Sequence, residues 1–385
     1  MQRREFVLGG AACCAGLCGT PAWAQALQFT PPERLARPAL STDEGGLWAM
    51  MEREERKLRR SPLLVKDPKL TAYLQDLVCR IGGAHCPDIR VYPVRSAAFN
   101  ASMAPNGMMQ IWTGLLLRVD NEAQLAAVLG HEIGHYLQRH TQQRLQDLKS
   151  RSAFAQFIGV FGLAGAVGQI AVMGSAFAYA RDQEREADQI GAILMSQAGY
   201  DVAESATVWR NLITEAKTRD AENPGANSPM FATHPLAPER EDALSKIAKQ
   251  LPEGRKADAP LLAHTNTFLD EWLGDELRRN QYNESLVLLN RLVDRPGAGT
   301  LAQFYRAEAH RLRNEPSDAD RALSDYREVV QHRDSPPAAH RGIGLIARDR
   351  GQNTQARQSL SRYLELAPDA PDAGFIQSYL AELPS

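Results

Sequence analysis

Residues 126–135 read Ala-Ala-Val-Leu-Gly-His-Glu-Ile-Gly-His, and no other run limits the rest of this chain so strongly. The run has helical character, and Asn121 ahead of it suits an N-cap, with Glu122 favourable to the helix dipole. A spacing of four puts His131 and His135 one turn apart on one face, with their imidazoles converging. Leu125 to Leu129 is apolar, so the helix is expected to be buried. Two buried histidines need a partner, and zinc is the simplest. Glu132 can reach a water held between the two rings, which makes the set two zinc ligands and one general base.

A length of 385 residues allows about two domains with sizeable cores. A formal net charge of -2 provides no basic excess, so nucleic acid is not expected as a partner. Met1-Gln2-Arg3-Arg4, the apolar run Phe6 to Leu17 and the ending Ala22-Trp23-Ala24 predict a cleaved export signal over residues 1–24. The pair Arg3-Arg4 before Glu5-Phe6-Val7-Leu8 resembles a twin-arginine signal. Cys13, Cys14 and Cys18 lack the pattern for lipidation. Beyond the signal the only cysteines are Cys79 and Cys86, which an exported chain can join. Two buried free thiols are the competing reading.

Further along, Asp67-Pro68 opens a helix that Gly82-Gly83 stops. Asp88 to Val94 alternates as a strand, and Met108 to Trp112 reads as another after the turn Pro105-Asn106-Gly107. Residues 153–180 are nearly uncharged and glycine-rich. Their length admits a membrane span, but Gln156, Gln169 and the glycines favour a helix pair packed on the domain or in contact with a membrane surface. Pro252 to Pro260 has the composition of a linker. After about residue 262 paired amphipathic helices follow. The run Pro337 to Pro368 has Gly344, Ala347, Gly351, Ala356, Leu360 and Tyr363 at offsets that resemble the tetratricopeptide repeat.

A catalytic zinc takes three protein ligands and a water. His140, Asp182, Glu184, Glu186, Asp188 and His234 are the downstream candidates for the third. His140 follows His135 by five residues, which turns it off the ligand face and predicts a surface position. Glu184 and Asp188 are four apart on one helical face, so one could ligate while the other braces a ligand histidine.

HExxH at 131–135, Glu184-Arg185-Glu186-Ala187-Asp188 as ExxAD, and Thr233-His234-Pro235 with Arg240 together resemble the HtpX/BepA-like zinc metallopeptidases, which are gluzincins. That resemblance implies one zinc per chain on His131, His135 and Glu184, with Glu132 as the base and Asp188 behind a ligand. His234 is then either a donor to the oxyanion or an occupant of the water position that holds the enzyme latent. Arg240 orients an acidic partner or the substrate. Met108, Met109, Gln110, Ile111 and Trp112 are expected as the strand whose edge an extended substrate joins.

The implied fold class is α+β and mainly helical. A gluzincin domain with a small β-sheet over 25–255 precedes an all-α tetratricopeptide solenoid over 262–385. Implied too is a periplasmic endopeptidase that degrades unfolded or misassembled envelope proteins and meets the outer-membrane assembly machinery through its repeats. A chaperone or adaptor with latent proteolysis is the alternative.

Overall fold

The computed structural model describes residues 27, 29–147, 179–222, 228–235 and 239–384. The expected export signal, its three cysteines and nearly all of the glycine-rich run 153–180 lie outside the described residues. Among the described residues no helix is long and apolar enough to cross a membrane.

Local chemistry starts the first elements. Thr42 accepts from the Gly45 amide at the head of α1 (Asp43–Arg60), and Asp67 accepts from the Leu70 amide at the head of α2 (Pro68–Gly82). Gly83 then takes φ +53° and ends α2. A disulfide joins Cys79 at the end of α2 to Cys86 in the following short turn, with Cα atoms 4.5 Å apart. Strand β1 (Arg90–Val94), β2 (Ala101–Met103) and β3 (Met108–Trp112) make one sheet in the order β1-β3-β2. β1 runs parallel to β3, and β2 runs antiparallel to it with Ala101 opposite Ile111 and Met103 opposite Met109.

This order corrects the expectation for Met108 to Trp112. That strand is the middle one, its two edges are taken by β1 and β2, and all five residues are buried. β1 and β2 are therefore the two outer strands, and Leu64 bridges to Val94 of β1. Gly107 in the β2–β3 turn has φ +83°, and a Cβ there would stand 2.0 Å from the Asp88 carbonyl oxygen. Only glycine meets both demands.

Glu55 of α1 fastens the helix to the sheet. It accepts from Arg90 at 2.6 and 2.7 Å, from the Tyr92 hydroxyl at 2.6 Å and from the Asn106 amide at 2.9 Å. Burial opposes its ionisation, but the Arg90 and Tyr92 hydrogen bonds outweigh that and pull the carboxyl down to about 2.

α3 (Thr113–Arg118) leads into α4 (Glu122–Leu137), which Asn121 caps by accepting from the Gln124 amide at 2.9 Å. Every residue of α4 is buried. Around it lie α5 (His140–Asp147), α6 (Arg181–Gln197), α7 (Ala203–Arg219), α8 (Pro229–Thr233) and α9 (Glu239–Ala248). The linker-like stretch is pinned rather than free. The Glu122 and Ala123 amides, unpaired within α4, donate to the carbonyls of Ala257 and Lys256.

The remaining helices are α10 (Asp258–Thr265), α11 (Leu269–Leu277), α12 (Tyr282–Leu292), α13 (Gly299–Arg313), α14 (Asp318–Val329), α15 (Ala338–Asp349), α16 (Asn353–Leu366) and α17 (Ala373–Glu382). From α12 to α17 each packs on the next. Leu261, Trp272 and Leu289 of α10 to α12 share one core with Leu74, Leu125, Leu194 and Trp209. Phe304, Ala322, Tyr326 and Ile343 form a separate cluster further out. Charge reinforces the shared core. Arg118 is buried and donates to Glu215 of α7 at 2.7 Å and to Glu276 of α11 at 2.9 Å.

Two outcomes follow for stability. The Glu55 carboxyl ionises more easily in the folded state than its ordinary value of 4.5, so its contribution is complete above that value and fades as pH falls towards about 2. Glu55→Gln is expected to cost roughly 2–3 kcal/mol at pH 7, and thermal unfolding should show the gap narrowing below pH 4. Arg118→Ala strands two buried carboxylates and is expected to cost about 3–5 kcal/mol in denaturant unfolding.

Candidate metal centre

The site is set by how closely α6 approaches α4. A Cβ on Gly130 would lie 3.0 Å from the Gly191 carbonyl oxygen, and one on Gly134 would lie 3.0 Å from that of Ala187. A Cβ on Gly191 would lie 2.7 Å from the His131 nitrogen. Small residues at spacings of four on both helices therefore bring the backbones into contact. Glu184 and Asp188, four apart on α6, then face His131 and His135.

His131 Nε2 and His135 Nε2 stand 3.1 Å apart. Glu184 Oε1 is 3.3 Å from His135 Nε2, and Oε2 is 3.7 Å from His131 Nε2. His234, just after α8, places Nδ1 3.1 Å from His131 Nε2 and 3.0 Å from Glu184 Oε1. Its Nε2 is 3.3 Å from Glu132 Oε1. All of these residues are buried.

A ring of charge supports them. Asp188 Oδ1 is 2.9 Å from His131 Nδ1. Arg240 of α9 grips Asp188 with two hydrogen bonds, at 2.8 and 2.6 Å, reaches Glu184 Oε2 at 2.7 Å and lies over the Trp209 ring at 4.0 Å. Burial would raise the Glu184 carboxyl, but His234, His135 and Arg240 hold it well below the carboxylate range. Asp188 is depressed in the same way, burial being outweighed by Arg240 and then His131. Glu132 is raised, because burial exceeds the pull of His234 and His131, while the Met103 amide of β2 donates to it.

These donors fit a divalent cation. One ligand atom from each of His131, His135, Glu184 and His234 lies within 4.8 Å of all the others. A carboxylate receives no proton from His131 Nε2, because the His131 proton sits on Nδ1 against Asp188. Glu132 Oε1 is buried without a hydrogen bond. Nitrogen and carboxylate donors in this number suit zinc.

Residues 65–248 match the family model described as Peptidase family M48. That stretch, just under half of the chain, is similar to peptidase family M48. The matched stretch takes in α2 to α9 and therefore every residue of the centre. The chain is 28% identical over 338 residues to the beta-barrel assembly-enhancing protease of Escherichia coli (strain K12), covering 81% of this chain and 58% of that protein. It is 29% identical over 239 residues to the beta-barrel assembly-enhancing protease of Yersinia pestis, covering 57% and 48%. It is 30% identical over 168 residues to the mitochondrial metalloendopeptidase OMA1 of Schizosaccharomyces pombe, covering 43% and 47%. The chain spans about half the length of these curated relatives.

Several positions depart from the sequence reading. Met103 of β2 hydrogen-bonds Glu132 through its amide, while Met108 to Trp112 is the middle strand of the sheet. His140 is not at the surface: it is 1% exposed, with Nδ1 2.8 Å from His135 Nδ1. The five-residue offset assumed an unbroken helix, but α4 ends at Leu137 and Arg139 takes φ +56°, which turns α5 back under the site. Trp209 and Tyr179 carry no motif and went unsuspected. Tyr179 stacks on His135 with ring centres 3.9 Å apart. The small-residue spacing Gly130, Gly134, Ala187, Gly191 was the signal that could have paired the two helices in advance.

Gly191→Ala tests the helix contact directly. The added methyl must separate α4 from α6, and a loss of roughly 1–3 kcal/mol is expected in thermal unfolding, together with weaker zinc retention on dialysis.

Proposed function

We propose that the protein is a zinc-dependent endopeptidase of the bacterial envelope. The observation that carries this reading is the buried convergence of His131, His135 and Glu184 beside the Glu132 carboxylate. His131, His135 and Glu184 would hold the metal. Bound there, zinc would supply Lewis acidity, making a water ionisable near neutral pH and polarising a peptide carbonyl. Glu132 takes the proton of the attacking water and passes it to the leaving amine. Its burial keeps the carboxyl readier to accept a proton than an exposed glutamate. Asp188 and Arg240 act behind the ligands, one fixing the His131 proton on Nδ1 and the other balancing two buried carboxylates.

The substrate reading rests on β2. As an outer strand, it can accept an extended chain by main-chain hydrogen bonds, and Met103 would lay that chain past Glu132. Such recognition favours unfolded polypeptide over a short sequence motif. Likeness to beta-barrel assembly-enhancing proteases supports outer-membrane proteins as the substrate class and the periplasm as the compartment. The successive helices α12 to α17 support a tetratricopeptide reading of the tail, a surface for the assembly machinery.

His234 favours a second, compatible reading. It stands among the ligand atoms rather than apart from them, which supports a resting site in which His234 occupies the water position. A latent protease with an adaptor tail would then act mainly by binding.

Glu132→Gln is expected to lower cleavage of an unfolded protein such as reduced, carboxymethylated lactalbumin by about 10²–10⁴-fold while metal analysis still finds one zinc. Glu184→Ala should lose the metal. Purified wild-type chain with less than half an equivalent of zinc, unchanged in Glu184→Ala, would falsify the ligand set. Full rescue of outer-membrane assembly by Glu132→Gln would favour the adaptor reading.

A further inference from the structure

Each ligand histidine has a second ring nitrogen, and the two are treated differently. His131 Nδ1 rests on the carboxylate of Asp188 at 2.9 Å. His135 has no carboxylate behind it. Its Nδ1 lies 2.8 Å from Nδ1 of His140, and Nε2 of His140 lies 3.3 Å from Glu186 Oε2.

Proton counting orders this chain. An ionised carboxylate only accepts, so His140 donates to Glu186 from Nε2. A neutral imidazole carries one proton, so His140 Nδ1 is then an acceptor. The contact between the two Nδ1 atoms needs one proton, and His135 must supply it. Nε2 of His135 is left with its lone pair, directed at Glu184 Oε1 and at His131 Nε2.

Packing holds the arrangement. His140 is 1% exposed, whereas the Glu186 side chain is about half exposed and reaches in from the surface. Tyr179 lies on the His135 ring at 3.9 Å, nearly parallel, and its hydroxyl is 3.0 Å from Thr141 Oγ1. A buried imidazole between a histidine and a carboxylate does not arise from apolar packing, because each unmet nitrogen would cost hydrogen-bond energy.

We propose that His140, backed by Glu186, is a positioning residue that fixes His135 as the Nδ1–H tautomer and aims its Nε2 at the metal. This rests on the zinc reading above. The centre of this chain then has two different supports: Asp188 with Arg240 behind His131, and His140 with Glu186 behind His135.

The full chain, stripped with a chelator and titrated with zinc against a chromophoric competitor, tests it. His140→Leu removes the acceptor, and a zinc affinity about 10–100-fold weaker is expected. His140→Asn puts an amide oxygen close to where Nδ1 was and should recover most of that loss. Glu186→Gln should fall between wild type and His140→Leu. In ¹⁵N-histidine spectra of the wild-type apoprotein, His135 should be protonated on Nδ1. Wild-type chain that binds no zinc would sink the metal reading and this inference with it. Wild-type chain that binds zinc no more tightly than His140→Leu would sink the His140 assignment alone. Protonation of His135 on Nε2 would overturn it even if His140→Leu did not fold.

Discussion

Everything in the centre depends on two helix backbones touching. Gly130 and Gly134 on α4 face Ala187 and Gly191 on α6, and a Cβ added at Gly191 would press on the His131 main-chain nitrogen at 2.7 Å. This contact lets short carboxylate side chains reach imidazoles that project from the other helix. The same spacing of four relates His131 to His135 and Glu184 to Asp188, so one register sets the packing and the site together. A helix contact made through leucines would hold the axes further apart and leave Glu184 short of His135.

Bringing so many ionisable groups into one buried volume requires close compensation. Two depressed carboxylates, Glu184 and Asp188, share a single guanidinium, and Arg240 itself lies between Trp209 and those acids. Glu132 is set apart from them. Burial there outweighs the pull of His234, His131 and the Met103 amide, so its carboxyl is pushed up where Glu184 is pulled down. Two glutamates a few ångströms apart thereby acquire opposite tendencies, one suited to hold a cation and the other to accept a proton. The fold reaches this by directing His234, His135 and Arg240 at Glu184 while burial prevails at Glu132.

The tail is built into the same body. Buried Arg118, Glu215 and Glu276, with the partly exposed Arg291, form a charge network from α3 and α7 to α11 and α12. The stretch after Pro252 closes the open amides at the head of α4. α4 is thus capped by the very segment that leads to the tail.

How much of this was legible depends on the range of the interaction. His131, Glu132 and His135 follow from helical geometry alone, as do the caps at Asp67 and Asn121 and the helical texture of the tail. These depend on residues within one or two turns, which any solvent-excluded helix of that sequence would present. Glu184, Asp188 and His234 stood among six downstream candidates, and only the resemblance their motifs carry assigned them roles. What tertiary structure alone decided was non-local. The middle position of Met108 to Trp112 comes from pairing on both edges, which alternation along a strand does not report. The burial of His140 comes from one left-handed residue, Arg139, that redirects the chain. Arg240 finds Asp188 from 52 residues away, because a buried charge takes the partner the fold brings to it. By itself the sequence determined which groups could bind and catalyse. Packing determined which of them meet, since only it sets distances between elements far apart in the chain.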